Sequence, residues 1–246
     1  MAQLLNSIIV GNGMIANSIK RNTGNIQNAV IFASGVSDSI CSNLSEYNRE
    51  IKLLNQTLEY CLSRSSKIVY FSSAGAIYGN CYEEKSEKSL LKPVTCYGRH
   101  KLLCEDLIKK SKVDFFILRL SNLIGPNQNK KQLIPYLVDK ANFGQVNLFR
   151  EATRDLLDVD DLAKLTYKIL AESKSNNIIN VVSGRAVPIL KIFDEIQNIL
   201  GTDAQINIVD GGYRHSFSNA KLRKTINVSF KIDYWQLSLR KYINRI

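Results

Sequence analysis

Short runs rich in β-branched and aromatic residues alternate along the chain with longer stretches whose apolar positions recur every three or four residues. Asn6–Val10 reads as a short buried strand, Ala29–Ala33 as a strand opening into the small-residue loop Ser34-Gly35-Val36-Ser37, Lys67–Phe71 as a strand ending in serines, and Phe116–Leu120 as a further strand. Between them, Tyr47, Ile51, Leu54, Leu58, Cys61 and Leu62 repeat at helical spacing through Glu46–Ser63. A second helix over 97–111 carries Leu102, Leu103, Leu107 and Ile108, and Ile189–Leu200 and Tyr234–Ile243 follow as two more. Strands that alternate with helices predict an α/β fold, a doubly wound parallel sheet covered on both faces.

Two local patterns carry chemistry. Gly11-Asn12-Gly13-Met14-Ile15-Ala16 follows the first strand and leads into a helical run ending near Arg21. Two glycines permit a tight turn and close approach to a pyrophosphate; a small third residue, Ala16, lets the helix pack near the sheet. The helix start adds N–H donors and a positive dipole end. Tyr97 and Lys101 form a Tyr-x-x-x-Lys pair about two dozen residues after Phe71-Ser72-Ser73-Ala74-Gly75-Ala76-Ile77-Tyr78-Gly79. Positions i and i+4 share a helix face, and a neighbouring ammonium is expected to lower the phenol pKa from about 10. Such a phenol exchanges a proton with a carbonyl or alcohol oxygen at working pH.

Together with Arg119-Leu120-Ser121-Asn122-Leu123-Ile124-Gly125-Pro126, Arg154-Asp155 through Val159-Asp160-Asp161-Leu162-Ala163, and Ile178 to Gly184, these runs resemble the extended short-chain dehydrogenase/reductase family. Within it the resemblance is to the NAD-dependent epimerase/dehydratase group acting on nucleotide sugars, and it covers nearly the whole chain. It implies a Rossmann-like dinucleotide-binding domain over 1–125, completed by 151–184, with 126–246 forming mostly a small C-terminal substrate-binding lobe. Catalysis would fall to Ser73, Tyr97 and Lys101. The cofactor would lie against Gly11, Asn12, Gly13, Met14 and Ile15, against Ala33, Ser34 and Gly35, and against Tyr97 and Lys101. Substrate would meet Ser73, Asn122 and Arg154, with Arg214 a weaker candidate for the phosphates; Arg154 has a competing role in packing against Asp155 or Asp158. His100 reads as an exposed helix residue, and Cys96 is an alternative second acid/base. The helices over 46–64 and 97–111 would build a homodimer interface.

Departures from the family pattern refine the picture. Only 22–28 separates the first helix from Ala29, too short for the usual strand-helix-strand excursion of at least ten to twelve residues. The sheet is therefore expected to lack strands two and three, leaving the adenosine end of the cofactor open. No carboxylate is then available to repel a 2′-phosphate, and Lys20 and Arg21 stand nearby, so NADP(H) is favoured over NAD(H); helix-end charges suited to the dipole are the competing account of those two cations. The active hydroxyl is assigned to Ser73, with Ser72 in reserve, since Ala74 fills the commoner position. Ser73-Ala74-Gly75 stands where 4,6-dehydratases carry Thr-Asp-Glu, which argues against water elimination. The expected activity is reduction of a 4-keto-6-deoxy nucleotide-diphosphate sugar for surface polysaccharide of O-antigen type. A nucleotide-sugar epimerase with tightly bound NAD is the alternative, and a non-catalytic NAD(P)-binding protein the reading from a different class.

Composition adds limits. With 33 Lys and Arg against 22 Asp and Glu, the formal charge is +11, which suits solvated faces or an anionic ligand. The basic residues are scattered without a nucleic-acid-binding pattern, so no nucleic-acid partner is expected. Cys41, Cys61, Cys81, Cys96 and Cys104 show no metal-ligand spacing, and reduced thiols of a cytoplasmic protein are the simplest reading. No metal site, signal peptide or membrane span is expected.

Overall fold

The computed structural model describes residues 8–22, 28–41 and 43–243. The chain opens with strand β1 (Ile8–Val10), helix α1 (Met14–Arg21) and strand β2 (Ala29–Phe32). Helix α2 (Leu44–Ser63), β3 (Lys67–Ser73), the short α3 (Ala74–Tyr78), α4 (Cys96–Lys110) and β4 (Phe115–Leu120) follow. After β5 (Asn122–Ile124) come α5 (Leu133–Phe143), β6 (Gln145–Phe149), β7 (Thr153–Arg154), β8 (Leu156–Asp158), α6 (Val159–Glu172) and β9 (Asn177–Val181). The last stretch holds β10 (Val187–Pro188), α7 (Ile189–Leu200), β11 (Gln205–Val209), α8 (Ala220–Ile226) and α9 (Tyr234–Ile243). Side chains define several helix starts: Asn43 accepts from Ser45 N, Thr95 from Gly98 N, and Asp158 from Asp160 N.

The central sheet has five strands in the order β1-β2-β3-β4-β9, every pair parallel. Period-two alternation decides which layer each side chain joins. Ile31, Val69, Phe71, Phe116 and Leu118 pack with Ile19 of α1, Leu162 and Ile169 of α6, and Leu222 and Ile226 of α8. On the other face Val30, Phe32, Ile68, Tyr70 and Ile117 pack with Leu54 and Leu58 of α2 and Cys104 and Ile108 of α4. Both faces are apolar because both are covered, as parallel sheets require.

Among the described residues, β1 pairs with β2 alone and no strand lies beyond it. This agrees with the short connection over 22–28, of which 23–27 lie outside the described residues. The expectation of a buried first strand needs correction. Asn6 and Ser7 lie outside the described residues, Ile8 is exposed, and Ile9 and Val10 are only partly covered. With a single neighbouring strand among the described residues, β1 is not buried on all sides.

A second apolar cluster gathers α5, β6, α7 and α9 through Ile134, Leu137, Leu148, Ile192, Phe193 and Leu239. It carries the parallel pair β6–β11 and sits at the carboxyl ends of the sheet strands through β5, β7, β8 and β10. Its link to the sheet runs through Asp155, wholly buried, whose carboxylate accepts from Ser183 N at 3.0 Å, Gly184 N at 2.7 Å and Arg185 N at 3.0 Å. A second buried polar assembly lies under α4. Arg119 of β4 donates Nε to Glu105 Oε1 (3.1 Å) and Nη2 to Oε2 (2.7 Å), and Nη1 to the Tyr78 hydroxyl (2.9 Å). Tyr78 in turn donates to Asn180 Oδ1 at 2.9 Å.

Burial pushes the Asp155 carboxyl up to about 6 from an ordinary 3.8, hydrogen bonds that include those from Ser183 N and Arg185 N offsetting only part of that. The folded chain therefore binds this proton more tightly than the unfolded chain between about pH 4 and 6. The associated stability is fully present below pH 4 and is lost as pH rises through 6. Asp155→Asn should remove that component, so the difference in Tm between wild type and variant, followed from pH 4 to 7, should shrink as pH rises. A difference independent of pH would refute it.

Candidate active site

A cleft of about 920 Å³ opens where the carboxyl ends of β1 to β4 face the second cluster. Its floor begins at the glycine turn. Gly11 has φ +126°, and a β-carbon there would collide with the Ala33 carbonyl, so glycine is what lets the first turn approach the end of β2. Gly11 does not itself line the cleft; Asn12, Gly13, Met14 and Ile15 do. A β-carbon on Gly13 would meet nothing within 4 Å, Gly13 caps α1 without a side-chain hydrogen bond, and the first turn of α1 holds no acid. Free N–H donors above open space fit a pyrophosphate. Ala33, Ser34 and Gly35 form the adjoining wall.

The two serines of β3 have different partners. Ser72, 3% exposed, donates to Glu105 Oε1 at 2.6 Å and so belongs to the polar assembly beneath α4. Ser73 Oγ accepts only a long 3.4 Å bond from Ala76 N and faces the cleft beside Tyr97. Thr95 starts α4 so that Tyr97 and Lys101, one turn apart, reach the same wall, with Lys101 Nζ 5.7 Å from the centre of the Tyr97 ring.

The electrostatics differ from the sequence expectation. Lys101 is buried and ion-paired, its Nζ 3.0 Å from Glu50 Oε1 and 3.2 Å from the Tyr70 hydroxyl. Tyr97 is held above the ordinary phenol value rather than below it, chiefly by burial. Burial raises it, Lys101 pulls it back, Glu50 pushes it up again, and Ser73 lowers it. His100, expected on the surface, is buried: Nε2 lies 3.0 Å from Glu50 Oε2 and the ring stacks on Tyr47 at 4.5 Å. Glu50 itself escaped the sequence reading. The signal was present, since Glu50 shares the buried stripe of Tyr47, Leu54, Leu58 and Cys61, and an acid on an apolar stripe asks for a partner.

On the opposite wall Asn122 and Arg154 line the cleft. Arg154 meets neither Asp155 nor Asp158; Nη1 donates to the Thr153 and Tyr213 carbonyls, each at 2.7 Å, and burial lowers its pKa from the ordinary value. Arg214 does not line the cleft, because it pairs with Glu151 at 2.7 Å and lies over the Tyr82 ring. Its neighbour His215 does, and its ring lies against Gly75, where a β-carbon would come within 2.5 Å of Cε1. Burial and then Arg154 push His215 down to about 3, so the imidazole is neutral, with Nδ1 buried and unpartnered. Cys96 is exposed and outside the cleft lining. Of the two cations at the end of α1, Arg21 is committed to Asp160 (3.0 Å), while Lys20 reaches back toward the Gly11 carbonyl (3.4 Å). Arg49 and Lys131 add positive charge, and no carboxylate lines the cleft among the described residues.

Comparison with known proteins agrees with this architecture. The family model for the NAD dependent epimerase/dehydratase family matches residues 16–182. A curated relative, a putative UDP-glucose 4-epimerase of Methanocaldococcus jannaschii, is 32% identical over 146 residues, covering 55% of this chain and 47% of the relative. The match thus spans about half that relative's length. Among solved structures, the UDP-N-acetylglucosamine 4-epimerase from Methanobrevibacter ruminantium M1, in complex with UDP-N-acetylmuramic acid, superposes with a TM-score of 0.82 at 17% identity, covering 97% of each chain. A dTDP-4-dehydrorhamnose reductase from Clostridium acetobutylicum ATCC 824 superposes with a TM-score of 0.79 at 17% identity, covering 98% of this chain and 99% of that one. At such identities the likeness is one of fold.

The two serines should separate by measurement. Ser72→Ala leaves Glu105 short of a buried donor, costing about 1–3 kcal/mol, or roughly 2–10 °C in Tm for a chain of this size. Ser73→Ala removes only the long cap bond at the start of α3 and should cost less, about 0.5 kcal/mol or roughly 1–2 °C. Equal losses in the two variants would contradict the division of roles.

Proposed function

The chain belongs to the NAD dependent epimerase/dehydratase family, and on that premise we propose that it is a nicotinamide-dependent reductase of a 4-keto-6-deoxy sugar carried on a nucleoside diphosphate, serving surface polysaccharide synthesis of O-antigen type. The observation that carries this reading is a cleft in which Ser73, Tyr97 and Lys101 meet opposite Arg154, with no carboxylate among its described lining residues. Two anionic ligands, a dinucleotide and a nucleotide sugar, find donors and cations there and no carboxylate among the described lining residues. Ala74 and Gly75 supply no carboxylate for water elimination, and His215 fills the space beside Gly75.

In this reading the N–H groups from Gly13 to Ile15 would hold the cofactor's pyrophosphate, and the nicotinamide, when bound, would supply the hydride. Tyr97 gives its hydroxyl proton to the sugar oxygen as the carbonyl becomes an alcohol, while Ser73 hydrogen-bonds the same oxygen and orients it. Lys101 has three N–H donors, of which Glu50 and Tyr70 take two. The third is available to a ribose hydroxyl. Asn122 contacts the sugar. Arg154, uncommitted to any carboxylate, takes phosphate oxygens of the substrate, for which a planar fork is well suited. NADP(H) is favoured because the outer side of β1 brings no described acid to the cleft, while Arg49, its Nε paired with Glu46 at 3.2 Å, sits there with Nη1 3.5 Å from the Ser34 carbonyl.

A second reading, epimerisation with retained NAD, draws on the similarity to the Methanocaldococcus relative. The two separate on one preparation. The reductase should consume NADPH in the presence of a keto-sugar nucleotide from a panel, followed by absorbance, and should release little nucleotide on denaturation. Recovery of stoichiometric NAD with no NADPH consumption would favour the epimerase.

Tyr97→Phe should lower kcat by about 10²–10⁴-fold with folding and cofactor affinity retained. Arg154→Ala should raise KM more than it lowers kcat, because a phosphate contact exists in ground and transition states alike. Arg154→Lys should restore KM only partly. Unchanged KM with a lowered Tm would make Arg154 a packing residue.

A further inference from the structure

The wall behind Tyr97 contains a carboxylate whose surroundings are built around it. Glu50 of α2 is wholly buried, and both oxygens are engaged: Oε1 takes Lys101 Nζ (3.0 Å) and the Tyr70 hydroxyl (2.9 Å), Oε2 takes Val36 N (2.7 Å) and lies 3.0 Å from His100 Nε2. These donors come from three directions, namely α4, β3 and the loop after β2. Gly35 leaves the necessary room, since a β-carbon there would stand 2.6 Å from Lys101 Nζ and 3.0 Å from Glu50 Oε1. We propose that Glu50 is a positioning residue of this site: its carboxylate clamps the Lys101 ammonium in the cleft wall and supplies the negative charge that offsets it at Tyr97. The working unit is then Glu50–Lys101–Tyr97 rather than a Tyr–Lys pair. The consequence for turnover rests on Tyr97 being the acid/base group; the clamp does not.

Four observations carry the argument together. Lys101, 3% exposed, has no solvent to balance its charge. Glu50 is likewise enclosed, and against the cost of burial Lys101, then His100 and Val36, hold its carboxyl well below the usual range. Burial disfavours the Lys101 ammonium, yet Glu50, joined by Tyr97 and Cys104, raises it above the ordinary lysine value. The other titratable groups facing Tyr97 and Glu50 do not compete for this role. Tyr70 and Cys104 are buried and held protonated, Cys104 up to about 11, and Tyr47 is pushed up to about 12. His100 faces Glu50 rather than Tyr97, with Cys104 Sγ 3.6 Å from the same nitrogen. The Glu50, His100 and Cys104 ligand atoms gather closely enough for a metal, but the ammonium already pairs with the carboxylate and opposes a second cation.

The test reads ionisation in substrate-free protein labelled with 13C in the tyrosine Cζ and lysine Cε positions, Tyr97 and Lys101 being assigned from Tyr97→Phe and Lys101→Met. Tyr97 and Lys101 titrate as a coupled pair. In Glu50→Gln the first proton lost from that pair should come off at least one pH unit lower than in wild type, and Glu50→Asp should restore at least half of the shift. Glu50→Gln/Lys101→Met, which removes both charges together, should leave Tyr97 within about half a unit of wild type and is the deciding variant if Glu50→Gln fails to fold. An unmoved first proton in Glu50→Gln, or a Tyr97 raised by more than one unit in the double variant, would overturn the proposal. Loss of turnover assignments would not, because no substrate is present.

Discussion

The placement of the Tyr97 end of α4 depends on the two-pronged ion pair between Arg119 and Glu105. Both residues are nearly inaccessible, at 2% and 0% exposure, so neither charge has water to fall back on, and removing one partner would strand the other. The fork fixes α4 along β4 as well as against it, because a guanidinium meets a carboxylate in two parallel bonds only at one offset. Ser72 and Tyr78 satisfy what the pair leaves over. One turn earlier on α4, Lys101 meets Glu50. The helix that presents Tyr97 is thus docked by polar contacts at two levels, with Cys104 and Ile108 as its buried apolar anchors.

Much of this was readable from the chain because strand and helix periods are local properties. The limits of α7 and α9 fall where the apolar spacing placed them, at Ile189–Leu200 and Tyr234–Ile243. The short connection after α1 foretold the sheet edge by arithmetic alone. What escaped were pairings between distant segments. The direction of the Tyr97 shift was misjudged because burial of the phenol, and then Glu50 on another helix, are invisible near Lys101 in sequence. His100 looked like a surface residue for the same reason. Arg214 and His215 are adjacent in sequence, yet the strand-like path of their loop sends one to Glu151 and the other into the cleft.

The cleft combines separate parts of the chain into one electrostatic environment. The sheet contributes backbone donors and small residues on one side; the second apolar cluster contributes Arg154 and a neutral histidine on the other. With Lys101 balanced internally, Arg154 is left as the wall cation without a carboxylate partner among the described residues. No helix of the described residues is long and apolar enough to cross a membrane.

The half-covered β1 has a consequence for local stability. A strand with one neighbour has fewer hydrogen bonds and apolar contacts to break than the interior strands, so sub-global opening should begin there, below the free energy of global unfolding. The glycine turn hangs from this strand. A ligand resting on Gly13 to Ile15 would therefore have to hold closed the part of the sheet most prone to open, and part of its binding energy would go into ordering that edge. Amide hydrogen exchange is the natural record of such coupling, with protection gained along β1 and the start of α1 while the interior of β3 and β4 stays slow throughout.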